Sequence, residues 1–404
     1  MIDIEKLRAV KTIIVHDNCS DGLMSALLLK DAYAQCGLTP ELRFVQYGTE
    51  AYKALTPAPN TLFCDFSPFV PEVEIEVEPG VKKKVPDPEK LRAWVDSGTL
   101  ILDHHKGAEA VVRAFGEHGV FGDESKHPGV SGAWLAFREV WVPFYKGGAK
   151  EAWAERITSF AEEEPLLIRA ETVEELAKQL DDDLAGRKDA HDDVVIGQDE
   201  EVGWARNLAA LAGIRDTWQN KHERWREACI LNEVLRFYPN EEWLEKVLPF
   251  HPGNRGFWNE RLKLGNLLWS KHEKGIKKCI EKSWRFTSAR GTKVLVFEGV
   301  RSSSDVAEEV DTEVDLVMAF DYEVETPKDG GAPQRKIIYS TRSHTSFDCK
   351  DFAKRFGGGG HTKAAGFNIV LDPQTELSSY ARSQDPYTLA ETLVRIHEEK
   401  KQGT

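Results

Sequence analysis

Residues 11–37 read KTIIVHDNCSDGLMSALLLKDAYAQCG: a short apolar run, a polar loop, then apolar residues at helical spacing closed by a glycine. Val10 to Val15 has strand length, and Gly22 to Gln35 repeats apolar residues every three to four positions until Gly37 stops it. The same alternation continues downstream. Leu42 to Val45 and Thr61 to Cys64 read as strands, Pro88 to Val95 as a helix, and Thr99 to Leu102, set off by Gly98, as another strand. Strands alternating with helices predict a doubly wound parallel α/β sheet. The segment Val73 to Pro86, with two prolines and Lys82-Lys83-Lys84, reads as an excursion from that sheet with no assigned role.

From Ala149 to about Leu211 the pattern is helical, interrupted by an Asp-rich stretch around Asp181 to Asp193. Lys221 to Arg285 is helix-rich, with breaks at Pro239 and Pro252. Strand-like runs return at Val294 to Phe297, Leu316 to Phe320, Ile337 to Ser340 and Phe367 to Val370, before a closing helix with Asp385 as cap and Pro386 in its first turn. The expectation is an α/β chain of two domains. Residues 1–220 form the first, with an acidic helical insertion at about 150–205; 221–290 form a helical connector; 291–404 form a smaller α/β domain.

The 404 residues carry a formal net charge of -14, which taken alone argues against a protein that coats nucleic acid. The charge is uneven. Glu162 to Glu201 hold 15 acidic and 4 basic residues, whereas Thr217 to Arg290 hold 15 basic and 9 acidic, and Gln334 to Lys363 hold 7 and 2. The acidic block reads as a solvated surface. Broad coating of long duplexes is excluded; a short anionic substrate is not. No apolar run approaches the roughly 20 residues that span a bilayer. Met1 to Val10 carry Asp3, Glu5, Lys6 and Arg8 instead of a secretory signal. The six cysteines include no CxxC pair, which fits a reducing, cytoplasmic setting.

Three motifs fall where successive strands should end: His16-Asp17-Asn18-Cys19-Ser20-Asp21-Gly22, Asp65-Phe66-Ser67-Pro68, and Asp103-His104-His105-Lys106-Gly107. Open parallel sheets bind ligands outside the carboxyl ends of their strands. Carboxylates and imidazoles gathered there desolvate and repel one another unless a cation holds them. Mixed oxygen and nitrogen donors suit manganese, iron or zinc better than calcium, and shared carboxylates permit two ions. The residues therefore point to a dinuclear metallohydrolase.

These motifs resemble the first three of the DHH phosphoesterase superfamily, and Gly213-Ile214-Arg215-Asp216-Thr217-Trp218 resembles the fourth. Arg342-Ser343, Gly357-Gly358-Gly359-Gly360-His361 and Ala364-Ala365-Gly366-Phe367 are similar to the associated carboxyl-terminal substrate domain. The resemblance is to nanoRNase or oligoribonuclease-like members and, distantly, to RecJ. It implies that His16, Asp21, Asp65, His104 and Asp216 ligate two divalent ions, with Asp65 bridging and Mn²⁺ favoured over Fe²⁺, Zn²⁺, Mg²⁺ or Co²⁺. Asp103, His104 and His105 carry the catalytic motif, in which Asp103 and His105 orient or assist. The resemblance further implies a substrate-binding set of Arg342, Ser343, Gly358, Gly359, Gly360 and His361, within which Arg342 and His361 take the non-scissile end of a nucleotide. Many members have an acidic residue where this chain has Cys19, a softer candidate ligand. Ser131-Gly132, after His127-Pro128-Gly129, also resembles a family segment near the metals but is chemically silent.

Glycine runs let backbone amides approach a phosphate, and the nearby cations Arg342, Lys354 and Lys363 suit one. Six of the eleven tryptophans, Trp218, Trp225, Trp243, Trp258, Trp269 and Trp284, lie among basic residues and either staple helices or stack bases. The expected activity is phosphodiester hydrolysis of short single-stranded oligonucleotides or dinucleotides, by a monomer or homodimer without membrane attachment. Cyclic-dinucleotide hydrolysis, a 3'-phosphoadenosine phosphate phosphatase and a non-catalytic nucleotide sensor are the alternatives.

Overall fold

A computed structural model describes residues 2–78, 81–123, 125–146, 198–246, 255–326, 333–360, 362–371 and 385–400. The acidic insertion up to residue 197 and His361 lie outside the described residues. The chain divides into two compact units, residues 1–269 and 270–404.

In the first unit, β1 (Thr12–His16), β2 (Glu41–Val45), β3 (Thr61–Cys64), β6 (Leu100–Asp103) and β7 (Gly119–Phe121) form a parallel sheet in the order β2-β1-β3-β6-β7. The third and fourth of these strands, TLFC and LILD, are buried throughout, as continuous apolar runs between two helical layers should be. Their residues alternate between the layers. Ile13, Val15, Leu62, Cys64, Leu100 and Leu102 join the core around α1 (Ser20–Gln35), whereas Ile14, Phe63 and Ile101 meet Trp94 of α2 (Pro88–Asp96) and Val111 and Val112 of α3 (Glu109–Ala114). Helices on both faces make the sheet doubly wound, as its sequence pattern predicts.

The first helix is buried on nearly all sides because α4 (Gly132–Ala136), α5 (Gln198–Asp216) and α6 (Trp225–Phe237) pack around it. Its apolar surface is therefore almost continuous. The strand order reverses between β1 and β3: β1 runs out to β2 on one side, and β3 continues to β6 and β7 on the other. Loops leaving the carboxyl ends on either side of such a switch open a crevice. The segment read as an excursion is a two-stranded hairpin, β4 (Glu72–Glu78) with β5 (Val81–Pro86). The helix after it starts where Asp87 accepts from the amides of Glu89 and Lys90, with Pro88 in the first turn.

The tryptophans separate into two groups. Trp243 and Trp258 are buried and stacked with centroids 5.4 Å apart, and Trp269 is buried against Cys229 and Ile230. These three staple helices, the first of the two readings their composition allows. Helix α7 (Arg255–Glu281) leads from the first unit into the second.

The second unit holds β8 (Trp284–Thr287), β9 (Lys293–Glu298), β10 (Leu316–Glu325), β11 (Gln334–Arg342), β12 (Gly359–Gly360) and β13 (Ala364–Val370) in one mixed sheet, ordered β12-β13-β11-β10-β9-β8. Among these described strands only β9 and β10 run parallel. Helix α8 (Ser303–Val310) covers one face; α9 (Cys349–Lys354) and α10 (Pro386–Lys400) cover the other. The closing helix begins as its sequence predicts, with Asp385 Oδ1 accepting from Tyr387 and Thr388 amides.

Candidate metal centre

Each sheet strand that ends near the switch point delivers one part of the cluster. His16 closes β1, Asp65 follows β3, and Asp103 closes β6 ahead of His104 and His105. Asp21 sits in the first turn of α1, and Asp216 ends α5. The structure brings all of these together. His104 Nε2 lies 3.1 Å from Asp65 Oδ1, 3.3 Å from Asp216 Oδ2 and 3.7 Å from Asp21 Oδ2, while His16 Nδ1 lies 3.7 Å from Asp65 Oδ2. Three overlapping sets of ligand atoms, each within 4.8 Å, result: His16, Cys19 and Asp65; Asp65, His104 and His105; Asp21, His104 and Asp216.

Asp65 belongs to two sets, and its carboxylate stands between His16 and His104. It is fully buried, and its backbone has φ 55°, in the left-handed region that Asp tolerates better than most side chains. Its amide donates to Leu102 O at 2.9 Å, which ties the turn to the neighbouring strand. Gly132 makes room for it: a Cβ there would come within 2.2 Å of Asp65 Cβ and 2.9 Å of Asp21 Oδ2. The same glycine's amide donates to Asp21 Oδ2 at 2.6 Å, and the Ala133 amide donates to Oδ1 at 3.0 Å. The Ser131-Gly132 segment thus positions two candidate ligands through its backbone, which no side-chain reading of it could reveal. Gly22 is likewise required, since a Cβ there would meet His16 O at 2.2 Å.

Asp103 differs from the other carboxylates. It is fully buried, and its Oδ1 accepts from the His105 amide at 3.0 Å and faces His105 Nδ1 at 2.7 Å; the Ser67 hydroxyl donates to its Oδ2. Each of these partners is a donor group within the site. Tyr47 adds a wall the sequence did not single out: its ring meets His16 edge-on at 5.0 Å, and its hydroxyl accepts from the Ser67 amide at 3.0 Å. No local motif marks it. Cys19 occupies the cap position of α1 without a capping bond, and its Sγ lies 3.9 Å from Asp216 Oδ1.

The electrostatics describe a site short of positive charge. Burial alone would drive the His104 imidazole down, but its bond to Asp65 and the charges of Asp216, Asp65 and Asp21 lift it to about 10. Burial also opposes the charged form of His105, and Asp103 with Asp65 raises it to about 9. Burial, Asp65 and Asp216 push Asp21 well above the usual carboxylate range, and burial with the same carboxylates raises the Cys19 thiol. Burial likewise opposes ionisation of Asp65, but the hydrogen bond with His104 and the His16 imidazole 3.7 Å away hold it below the ordinary value. Two buried atoms, His16 Nδ1 and Asp65 Oδ2, have no hydrogen-bond partner. A buried polar atom without a partner costs about 1–3 kcal/mol. A cation would satisfy both, and the imidazole and carboxylate donors suit Mn²⁺, Fe²⁺ or Zn²⁺.

Two cavities flank the cluster. One of about 430 Å³ is lined by His104, Lys106, Glu109, Phe121, Asp123 and Ser125; the other, about 260 Å³, includes Cys19, Asp21 and Asp216 in its wall.

The candidates of the second unit gather at one end of its sheet. Arg342 pairs with Ala364, and Gly360 with Ala365, in adjoining strand pairs; the Ser343 amide donates to Lys363 O at 3.0 Å. Arg342 is partly buried and donates to Ser304 Oγ, Ser340 Oγ and Thr341 O, each at 2.9 Å and each uncharged. Burial lowers its pKa. The glycines divide by cause. A Cβ at Gly358 would meet Gly366 O at 2.2 Å, and one at Gly360, with φ 140°, would meet Ala364 O at 2.6 Å, so both are required by strand packing. Gly359 faces open space.

No protein-family model matches the chain, and no curated protein matches its sequence. Solved structures do resemble it. PggH, a pGpG-specific phosphodiesterase from Vibrio cholerae, matches at TM-score 0.33 and 14% identity over 89% of this chain and 94% of that one. A DHH domain from a protein described as a member of a family of ribosomal proteins matches at TM-score 0.48 and 11% identity, over 96% and 87%. Exonuclease RecJ bound to manganese matches at TM-score 0.41 and 15% identity, over 97% and 95%.

Proposed function

We propose that this chain is a metal-dependent phosphodiesterase that hydrolyses short single-stranded oligonucleotides or dinucleotides with water as nucleophile. One observation carries the reading: His16, Asp21, Asp65, His104 and Asp216 converge from four chain segments, with His16 Nδ1 and Asp65 Oδ2 buried 3.7 Å apart and neither hydrogen-bonded. Those five residues would hold two divalent ions, Mn²⁺ first among them, with Cys19 as a further donor. When bound, such ions acidify a water and neutralise phosphoryl oxygens.

The chain's own groups divide the remaining work. Asp65, reached by both His16 and His104, is the shared carboxylate. Asp103 holds His105 by Nδ1 and leaves its other ring nitrogen, in a partly exposed ring, to donate to a phosphoryl or leaving oxygen. The Gly132 and Ala133 amides fix Asp21 against rotation, so the ligand set is ordered before anything binds. Arg342, Ser343 and the open backbone at Gly359, together with His361, would bind the non-scissile end. An Arg whose protein partners are all neutral keeps its charge for an anion.

Purified protein with Mn²⁺ is expected to cleave linear dinucleotides faster than cyclic dinucleotides or 3'-phosphoadenosine phosphate, and to lose turnover with chelator. Absence of turnover for every linear oligonucleotide across Mn²⁺, Fe²⁺, Zn²⁺, Mg²⁺ and Co²⁺ overturns the proposal.

A further inference from the structure

Asp103 is sealed from solvent, so what it contributes to a reaction passes through His105, whose side chain is 36% exposed. The two residues meet at one oxygen: Asp103 Oδ1 accepts from the His105 amide at 3.0 Å and faces His105 Nδ1 at 2.7 Å. A carboxylate held at one oxygen can still rock about its Cβ–Cγ bond. The second oxygen stops it. Oδ2 accepts from the hydroxyl of Ser67, which is 4% exposed and belongs to the loop after β3 that also carries Asp65. Ser67 is seated in turn by Tyr47, from the loop after β2. The Ser67 amide donates to the Tyr47 hydroxyl at 3.0 Å, and the Tyr47 ring packs on Phe66 with centroids 4.3 Å apart and on Tyr52 at 5.2 Å.

The ends of three strands thus supply one hydrogen-bonded series, Tyr47 to Ser67 to Asp103 to His105. A serine hydroxyl has a single proton, and Ser67 spends it on Asp103, so it has none to give a substrate. Facing a carboxylate, His105 Nδ1 carries a proton, which leaves Nε2 as the nitrogen that meets the substrate. We infer that Ser67, seated by Tyr47, is a positioning residue of the hydrolysis: its bond fixes the plane of the Asp103 carboxylate, and that plane aims His105 Nε2 at the diester. Without the hydroxyl, Oδ2 is a buried acceptor that has lost its donor, and the carboxylate turns to recover one. The imidazole turns with it. A misplacement of about 1 Å at a reacting group costs about 10²-fold in rate. The His105 amide still holds Oδ1, so the loss expected from removing the Ser67 hydroxyl is smaller, about tenfold.

The inference rests on the phosphodiesterase reading with His105 as its assisting group, and a double-mutant cycle separates the two. With Mn²⁺ and a linear dinucleotide, kcat and KM are measured for the wild type, Ser67→Ala, Tyr47→Phe, His105→Ala and the two double variants that combine His105→Ala with each of the others. Ser67→Ala is expected to lower kcat by about tenfold and Tyr47→Phe by about threefold, with KM and Mn²⁺ affinity within about twofold of the wild type. His105→Ala is expected to lower kcat by about 10²-fold or more. In the His105→Ala background both changes should move kcat by less than about twofold, because no imidazole is left to aim. A general loosening of the fold or of the ligand set would cost the same with or without His105. Tyr47→Phe keeps the ring and its packing, so it answers the question if Ser67→Ala does not fold. Equal costs in the two backgrounds, a loss that falls on KM or Mn²⁺ affinity instead of kcat, or full activity of His105→Ala or of both other single variants, overturns the positioning role alone. No cleavage of any diester by the wild type overturns the phosphodiesterase reading, and the positioning role with it.

Discussion

The His/Asp cluster of the first unit and the Arg/Gly edge of the second both carry motif residues, yet their physical states are opposite. In the first, four carboxylates and three imidazoles are crowded at strand ends, several fully buried, with orphaned atoms and imidazoles lifted to about 9 and 10. In the second, an arginine is satisfied by neutral oxygens, and two of three candidate glycines are explained by strand packing alone. The contrast separates chemistry from grip. The cluster gathers buried groups that a bound cation would hold together, whereas the edge has its arginine hydrogen-bonded to neutral oxygens as folded.

The largest expected effect is in the cluster. Asp65→Asn removes the carboxylate shared by two ligand sets, and kcat should fall by about 10³-fold or more, the scale on which preorganised electrostatic groups act. A loss below tenfold would put Asp65 on the same footing as the edge residues and break the contrast. Next comes Gly132→Ala, which touches no substrate but drives a methyl into Asp65. A displacement of that order at the reacting groups should cost about 10²-fold in kcat. Retained Mn²⁺ affinity and full activity would show that the backbone cradle is unimportant.

At the edge, Arg342→Gln should raise KM for a dinucleotide by about tenfold with kcat held within about threefold, because a contact made equally in ground and transition states appears in KM. An equal fall in kcat would move Arg342 into the chemistry and erase the distinction. The smallest effect is on pH-dependent stability. His104 and His105, raised from an ordinary 6.5 to about 10 and about 9, stabilise the metal-free fold fully below pH 6.5, and that contribution is lost as pH rises through those values. Asp21, raised by burial, has the same sign, because its bound proton is also lost as pH rises. Thermal melts without metal should therefore show Tm falling from pH 6.5 to pH 9, and saturating Mn²⁺ should flatten the slope by taking the protons' place. A metal-free Tm that rises over that interval contradicts the charge assignment of the cluster.

Much of this is legible in sequence, for a physical reason. Apolar runs such as TLFC and LILD can be buried on both faces only in a covered parallel sheet, and a strand end followed by Asp or His announces a site at the carboxyl edge. What the sequence hides acts through backbone or through distance. Gly132 matters for the hydrogen it carries in place of Cβ and for its amide, and neither leaves a periodic or compositional trace. The tryptophans are ambiguous in sequence because the same basic, aromatic composition serves a helix seam and a base-stacking surface. Burial resolves it for Trp243, Trp258 and Trp269, while Trp284 stays half exposed with its Nε1 donating to Glu391. The hairpin is hidden because its alternating glutamates and its run of lysines read as loop, although Glu74 and Lys82 pair across it at 3.8 Å.

The central claim is that the first unit's cluster holds metal for phosphodiester hydrolysis. Its most direct test counts bound Mn²⁺ per chain by isothermal titration calorimetry while following cleavage of an end-labelled dinucleotide, in the wild type and in Asp65→Asn. The account predicts two ions and turnover in the wild type, with weakened binding and turnover reduced by about 10³-fold in the variant. No retained Mn²⁺, or turnover indifferent to Asp65→Asn, would contradict it.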